Sequence, residues 1–215
     1  MVRRTKADAQ ATRSSLLDAA EHLFQAHGVS RTSLNDIAVA AGTTRGAIYW
    51  HFKDKADLFN AMMERVTLPL EQALQSATSP QAQCPVLELR HVMVEALRRT
   101  VNDAQTRRVF DVATHKVEYV AELLGVKQRH LQVRNACLAR TQQAMQQVAA
   151  LRGSPLPVDV HTAALGLHVM IDGLIQNWLL DPDAFDLVAT GRQTFDTYLA
   201  GLGLHPPPTE AKNGV

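Results

Sequence analysis

Apolar residues recur along this chain at helical spacing. Leu16, Ala20, Leu23 and Phe24 stand at i, i+4, i+7 and i+8, and Gly28 follows them as a stop. Ser33 and Asp36 form an S-x-x-D cap around the start of a run through Leu34, Ile37, Ala38 and Ala41, which Gly42 ends. Thr43 or Thr44 caps a short third helix carrying Ile48. Asp54 with Asp57 caps a fourth, whose apolar face is Leu58, Met62, Val66 and Leu70. The stretch SATSPQAQCP then breaks the pattern with Ser, Thr and two prolines. Beyond it the spacing predicts a helix on Leu89, Met93, Ala96 and Leu97 and a sixth capped within VNDAQTRR. A long helix over 118–151 ends at RGSPLP, and two more, over 163–179 and 185–202, are parted by DPD.

No strand-period alternation of useful length and no internal repeat interrupts this series. The expected fold class is all-α with about nine helices. Leu23, Phe24, Ile37, Ile48 and Phe52 are enough to close a compact three-helix unit at the N-terminus, with larger helices after it. We place the domains at 1–54, with an N-terminal arm at 1–8, and at 55–204. The tail HPPPTEAKNGV, 205–215, carries no apolar pattern and is expected to be disordered.

Composition narrows the class only a little. The chain is 46% hydrophobic and 20% charged, which fits a globular protein and not a disordered one. Its net charge of +1 disfavours an architectural DNA-coating protein. Residues 1–55 hold eight Lys or Arg against five Asp or Glu, a mildly basic end that suits a polyanion. Two cysteines, Cys84 and Cys137, form no metal spacing and no disulfide framework. MVRRTKADAQATR has no apolar core behind it and is not a signal peptide. The most apolar stretch, AALGLHVMIDGLI, is too short to span a bilayer and contains His168 and Asp172. The expectation is a soluble cytoplasmic protein with no membrane partner.

The stretch TTRGAIYWHFKDK, 43–55, carries the chemistry. With the helix before it, it makes a helix-turn-helix pattern whose second helix is sized for a DNA major groove. Ile48 and Phe52, four apart, can face the small core, which leaves Arg45, Gly46, Ala47 and Tyr49 outward. Arg45 offers a bidentate pair of donors to guanine, and Ala47 fits a thymine methyl. Gly46 is small enough to let the backbone approach. Tyr49 and His51 can donate to phosphate, and Lys55 opens a helix whose N-terminus already favours an anion. Trp50 is counted with this surface, although an aromatic at helical spacing also suits a core.

The run TSLNDIAVAAGTTRGAIYWHFKDKADLF resembles the DNA-binding signature of the TetR family of bacterial repressors, in its glycine turn, its Tyr-Trp-His-Phe run and Lys55. MVRRTKADAQATR resembles the N-terminal arm of the multidrug-efflux repressors of that family, and MIDGLIQNWLLDPDAFDL resembles their eighth helix and following turn. The resemblance implies that Thr44, Arg45, Gly46 and Ala47 meet bases. It implies that Tyr49, His51 and Lys55 clamp phosphates with help from Ser33, and that Arg3, Arg4 and Lys6 form a basic arm; a solvated tail is the alternative for the arm. It also implies a C-terminal domain that binds a hydrophobic or aromatic inducer and forms a homodimer through the last two helices. The eighth helix is apolar on most of its circumference, as that role requires.

Pocket candidates on the same resemblance are Val66, Leu89, Met93, Ala96, Phe110, Thr114, His115, Cys137, Met170, Asp172 and Ile175. Asp172 is either a polar anchor for ligand in an apolar cleft or a buried structural acid with a partner. His168 and Asp172, four apart, with His115 brought near, would make a metal-dependent enzyme or sensor; two ligands on one helix are a weak signal for it. No catalytic motif and no cofactor is expected. The sequence therefore reads as a ligand-responsive, dimeric repressor binding a near-palindromic double-stranded operator, most simply that of an efflux operon; a metabolic or metal-responsive gene is the alternative.

Overall fold

The computed structural model of the chain describes residues 6–77 and 84–204. Among these there are nine α-helices and no strand: α1 Lys6–His27, α2 Leu34–Ala40, α3 Arg45–His51, α4 Lys55–Ala77, α5 Pro85–Asn102, α6 Ala104–His115, α7 Leu124–Arg152, α8 Val160–Leu180 and α9 Leu187–Gly201. Their ends follow from local chemistry. Ser33 and Asp36 form a reciprocal capping box at α2, and Thr44 accepts from the Ala47 N–H at α3. Asp54 accepts from the Asp57 N–H at 2.8 Å, while Asp57 reaches back to the Lys53 N–H at 3.0 Å. Asp103, Asp159 and Asp186 cap α6, α8 and α9 in the same way. Arg3, Arg4 and the tail 205–215 lie outside the described residues; Lys6, expected in the arm, already belongs to α1.

The chain divides into two compact units, one of Met1–Leu68 with Asp103–Val133, the other of Pro69–Asn102 with Arg134–Val215. The core of the first joins Leu16, Leu17, Phe24, Ile37, Ile48, Phe52, Leu58 and Met62, all buried. Each such side chain contributes about 1.5–3 kcal/mol over its exposed state. Against this core sits a buried carboxylate. Glu21 of α1 accepts from Gln105 Nε2 at 2.8 Å and from Arg65 Nη1 at 3.2 Å, with Arg108 Nε at 3.6 Å. Burial pushes its pKa up, and the hydrogen bond and the two guanidinium groups oppose that rise. A buried acid so surrounded ties α1, α4 and α6 together.

One expected helix boundary moves. The helix foreseen over 118–151 begins only at Leu124, because 116–120 is non-helical and a single 3₁₀ turn, Ala121–Leu123, follows. The reason is long-range. The Val29 N–H donates to the Lys116 carbonyl at 3.0 Å, the Ser30 hydroxyl lies 3.4 Å from Glu118, and Leu123 is fully buried. The connector is laid along the end of α1 instead of winding.

The second unit packs α5, α8 and α9 around Leu89, Met93, Leu97, Leu167, Trp178 and Phe195. Two glycines permit the close approach: a Cβ at Gly191 would overlap Leu97, and one at Gly166 would overlap the Tyr198 hydroxyl, which donates to the Ala163 carbonyl at 3.1 Å. Only part of α8 is covered. Ala163, Ala164, Leu167 and Trp178 are buried, while Leu165, Val169 and Leu180 are exposed. At 21 residues α8 is long and apolar enough, by length and composition, to cross a membrane, where the shorter run read from the sequence was not.

Candidate nucleic-acid interface

The turn between α2 and α3 is built by Gly42. Its φ of +65° is a conformation that side-chain-bearing residues rarely adopt. There the Thr43 N–H donates to the Ala38 carbonyl at 2.9 Å and the Gly42 N–H to Val39 at 3.0 Å, closing the end of α2. The chain then re-enters a helix at Thr44. Ile48 and Phe52 are fully buried beneath α3, which fixes its rotation. Arg45, Gly46, Tyr49 and Trp50 consequently face outward, and Ala47 is half-buried. Trp50 is 74% exposed, so it does not pack into the core. The Arg45 guanidinium lies 5.7 Å from the centroid of the Tyr49 ring, and Trp50 meets His51 edge to face at 4.6 Å. An outward helix face of one guanidinium, two large aromatic rings and two residues without bulky side chains can read base edges and grip phosphate.

Two residues expected at phosphates are already engaged within the chain. The Ser33 hydroxyl donates to Asp36 Oδ2 at 2.7 Å and accepts from the Asp36 N–H at 3.2 Å. Lys55 Nζ donates to the Ser30 and Thr32 carbonyls, each at 3.2 Å, and pairs with Glu122 at 2.7 Å. An ammonium has three donors, so all three are filled. Lys55 therefore stitches α4 to the end of α1 and to the connector, a commitment that the run FKDK does not reveal. Asp54 occupies the N-terminus of α4 beside it.

Arg13 was not singled out from the sequence. It lies on α1 with its guanidinium 5.1 Å from the Phe52 ring centroid, at the base of α3. Its only sequence signal is its place three residues before Leu16, on the flank of the apolar face.

The pocket candidates separate between the two units. Val66 and Phe110 join the first core, Val66 buried and Phe110 partly so, with Thr114 and His115 half-buried nearby in sequence. His115 Nδ1 lies 3.0 Å from Asp111, and its buried Nε2 has no hydrogen-bond partner among the described residues. Leu89 and Met93 lie in the second core with Cys137, Met170 and Ile175 packed against it, and Ala96 is buried on the same helix as Leu89 and Met93. Burial pushes the Cys137 thiol up, with the Glu71 and Asp172 carboxylates adding to the rise. Asp172 corrects an expectation: it is not a buried acid. Its side chain is 58% exposed and lies 3.2 Å from His168 Nε2. It sits on the part of the α8 surface that the described residues leave uncovered. Among the described residues no three His, Cys, Asp or Glu side chains gather as metal ligands.

Comparison with known proteins places this geometry. The model of the bacterial regulatory proteins of the tetR family matches residues 16–62, and that of the C-terminal region of MAATS-type transcriptional repressors matches 84–203. The chain is 39% identical over 218 residues to the transcriptional regulator AcrR of Shigella flexneri, covering 97% of this chain and 99% of AcrR. The crystal structure of NalD, the secondary repressor of the MexAB-OprM multidrug efflux pump in Pseudomonas aeruginosa, superposes with a TM-score of 0.83 at 33% identity, over 91% of this chain and 98% of NalD. SmeT of Stenotrophomonas maltophilia, in its complex with triclosan, superposes with a TM-score of 0.81 at 33% identity, over 96% of this chain and all of SmeT. These relatives are transcriptional regulators, not enzymes. With the helix-turn-helix built as described and both family models matched in order, the chain belongs to the TetR family, as a repressor related to the regulators of multidrug efflux pumps.

Proposed function

We propose that this chain is a cytoplasmic, ligand-responsive, dimeric repressor that binds a near-palindromic operator of an efflux-pump operon and is released by hydrophobic antibiotics or other aromatic compounds. The observation that carries the reading is α3: Ile48 and Phe52 buried, Arg45, Tyr49 and Trp50 outward, behind a glycine turn. Arg45 with Gly46 and Ala47 addresses bases, with Thr44 at the helix cap. Tyr49, Trp50 and His51 address the backbone, and Lys55 joins them when a phosphate replaces Glu122. Arg3 and Arg4 belong to a basic arm ahead of α1.

Relatedness supports the efflux assignment, since NalD and SmeT are repressors of such pumps and SmeT has been crystallised with triclosan. The apolar cluster around Leu89, Met93, Cys137, Met170 and Ile175 supports a hydrophobic ligand in the domain 55–204. The exposed Leu165, Val169 and Leu180 of α8 support a homodimer through α8 and α9, two copies of α3 then entering major grooves about 34 Å apart. The ligand acts by differential affinity for operator-competent and released states. The test is fluorescence anisotropy with the DNA upstream of the chain's own gene, with and without a panel of hydrophobic antibiotics and phenolics. Tight, competitor-resistant binding that a compound releases supports the reading. Weak, salt-sensitive binding without sequence preference, or a monomer by sedimentation at micromolar concentration, refutes it.

A further inference from the structure

The second unit holds a cationic groove that the repressor reading does not use. It lies among the Pro69–Ala73 part of α4, the outer face of α5 and α9, with a volume of about 600 Å³. Arg90, His91, Arg98 and Arg99 of α5 and Arg192 of α9 supply its polar wall; Pro69, Leu70 and Ala73 supply an apolar one. These α5 residues are on the opposite side of the helix from the buried Leu89, Met93 and Ala96, so the groove is separate from the candidate inducer cluster.

Its charges do not balance. Asp196 is held through both oxygens by Arg90, with Nη2 at 2.8 Å from Oδ2, and that hydrogen-bonded guanidinium keeps its carboxyl below the usual range. Glu95 is the carboxylate of the groove lining. It stands 3.8 Å from Arg98 Nη1 and 3.5 Å from Arg99 Nε, at or beyond the limit of a hydrogen bond. Arg192 has no carboxylate within 4.0 Å among the described residues, although its charge helps Arg90 hold the Asp196 carboxyl down, and His91 makes no polar contact among them. The lining thus holds four guanidinium groups and one carboxylate, Glu95, with Asp196 outside the lining and bound by Arg90.

We propose that the groove binds a small amphipathic organic anion, a phosphate or carboxylate head on a short apolar chain. The head takes the planar forks of Arg98 and Arg192, whose donors suit an oxyanion bidentately, and the chain lies against Pro69, Leu70 and Ala73. The volume is that of a small-molecule site. The inference does not rest on operator binding or on the inducer cluster.

Calorimetric titration of the full chain with octyl phosphate and with octanoate, below their micellar concentrations, tests it. Inorganic phosphate serves as the head alone and octyl glucoside as an uncharged tail. The expected result is saturable binding, one per chain, of octyl phosphate or octanoate, weakened by salt and tighter than that of either half-probe; whichever anion binds better identifies the head. Arg98→Gln with Arg192→Gln weakens it at least about tenfold. Both arginines are exposed, and an unchanged thermal melt confirms that the variant folds. Arg98→Lys with Arg192→Lys, which keeps charge but not the fork, lies between. No saturable binding of either anion, or equal binding by the Gln variant and the parent, overturns the proposal.

Discussion

Lys55 is where the fold and the proposed DNA interface compete, and Glu122→Gln measures that competition. The three ammonium donors are filled by the Ser30 and Thr32 carbonyls and by Glu122. A phosphate can gain this cation only by replacing one of them, and the carboxylate at 57% exposure is the one that can swing into water. An ion pair with one partner so exposed is worth about 0.5–1 kcal/mol. Removing its charge should therefore raise operator affinity about two- to fivefold per reading head. Glu118→Gln is the control: it makes the same change of charge on the same connector, but at a carboxylate placed against Ser30. Anisotropy at several salt concentrations reads both affinity and slope. We expect Glu122→Gln to exceed Glu118→Gln with an unchanged slope, and Lys55→Ala to flatten the slope by about one unit. Equal gains from the two glutamine variants, with an unchanged slope for Lys55→Ala, would show that Lys55 serves only the fold.

Further predictions concern the second unit. Gly191→Ala places a Cβ onto the end of the Leu97 side chain, which must shift within a fully buried site, so the overlap is expected to outweigh the helical gain of alanine; a net loss of about 2 kcal/mol is expected in urea unfolding, partly recovered by Leu97→Ala. A variant as stable as the parent would refute this packing. Asp196 has its pKa lowered from 3.8, so its pairing with Arg90 stabilises the fold above that value and ceases to do so as pH falls below it. Asp196→Asn should cost about 1 kcal/mol at neutral pH, and the difference from the parent should vanish in the acid limb of a pH–stability curve. Asp172→Asn, an exposed change that removes a charge acting on Cys137 of the candidate inducer cluster, should leave the thermal melt and operator affinity near those of the parent while altering the response to inducer. A clear loss of stability would instead make Asp172 a structural acid.

What was legible in the sequence is what depends on residues a few positions apart. The Ser33–Asp36 box, the Thr44 cap and the Asp54–Asp57 pair each close within four residues, so the residue types suffice to announce them. The orientation of α3 was legible for the same reason, since burying Ile48 and Phe52 leaves only one face for Arg45, Tyr49 and Trp50. What escaped depends on distant partners. Lys55 finds its acceptors 25 and 23 residues upstream and at Glu122, and the non-helical 116–120 exists because Val29 and Ser30 receive it. Gly166 and Gly191 look like helix weaknesses until Tyr198 and Leu97 are placed against them.

Asp172 shows why apolar context alone misleads. A helix rich in Leu, Ile and Met suggests burial all round, yet a helix buries only the faces for which the chain supplies a neighbour. On α8 the neighbours reach Ala163, Ala164, Leu167 and Trp178 and stop short of Leu165, Val169 and Leu180. Those three belong to no core cluster among the described residues, and their exposed apolar surface is what the proposed dimer would cover. Sequence pattern records that demand in full; it does not record which part of it the chain itself satisfies. That division separates the packing face of α8 from the face proposed for the dimer.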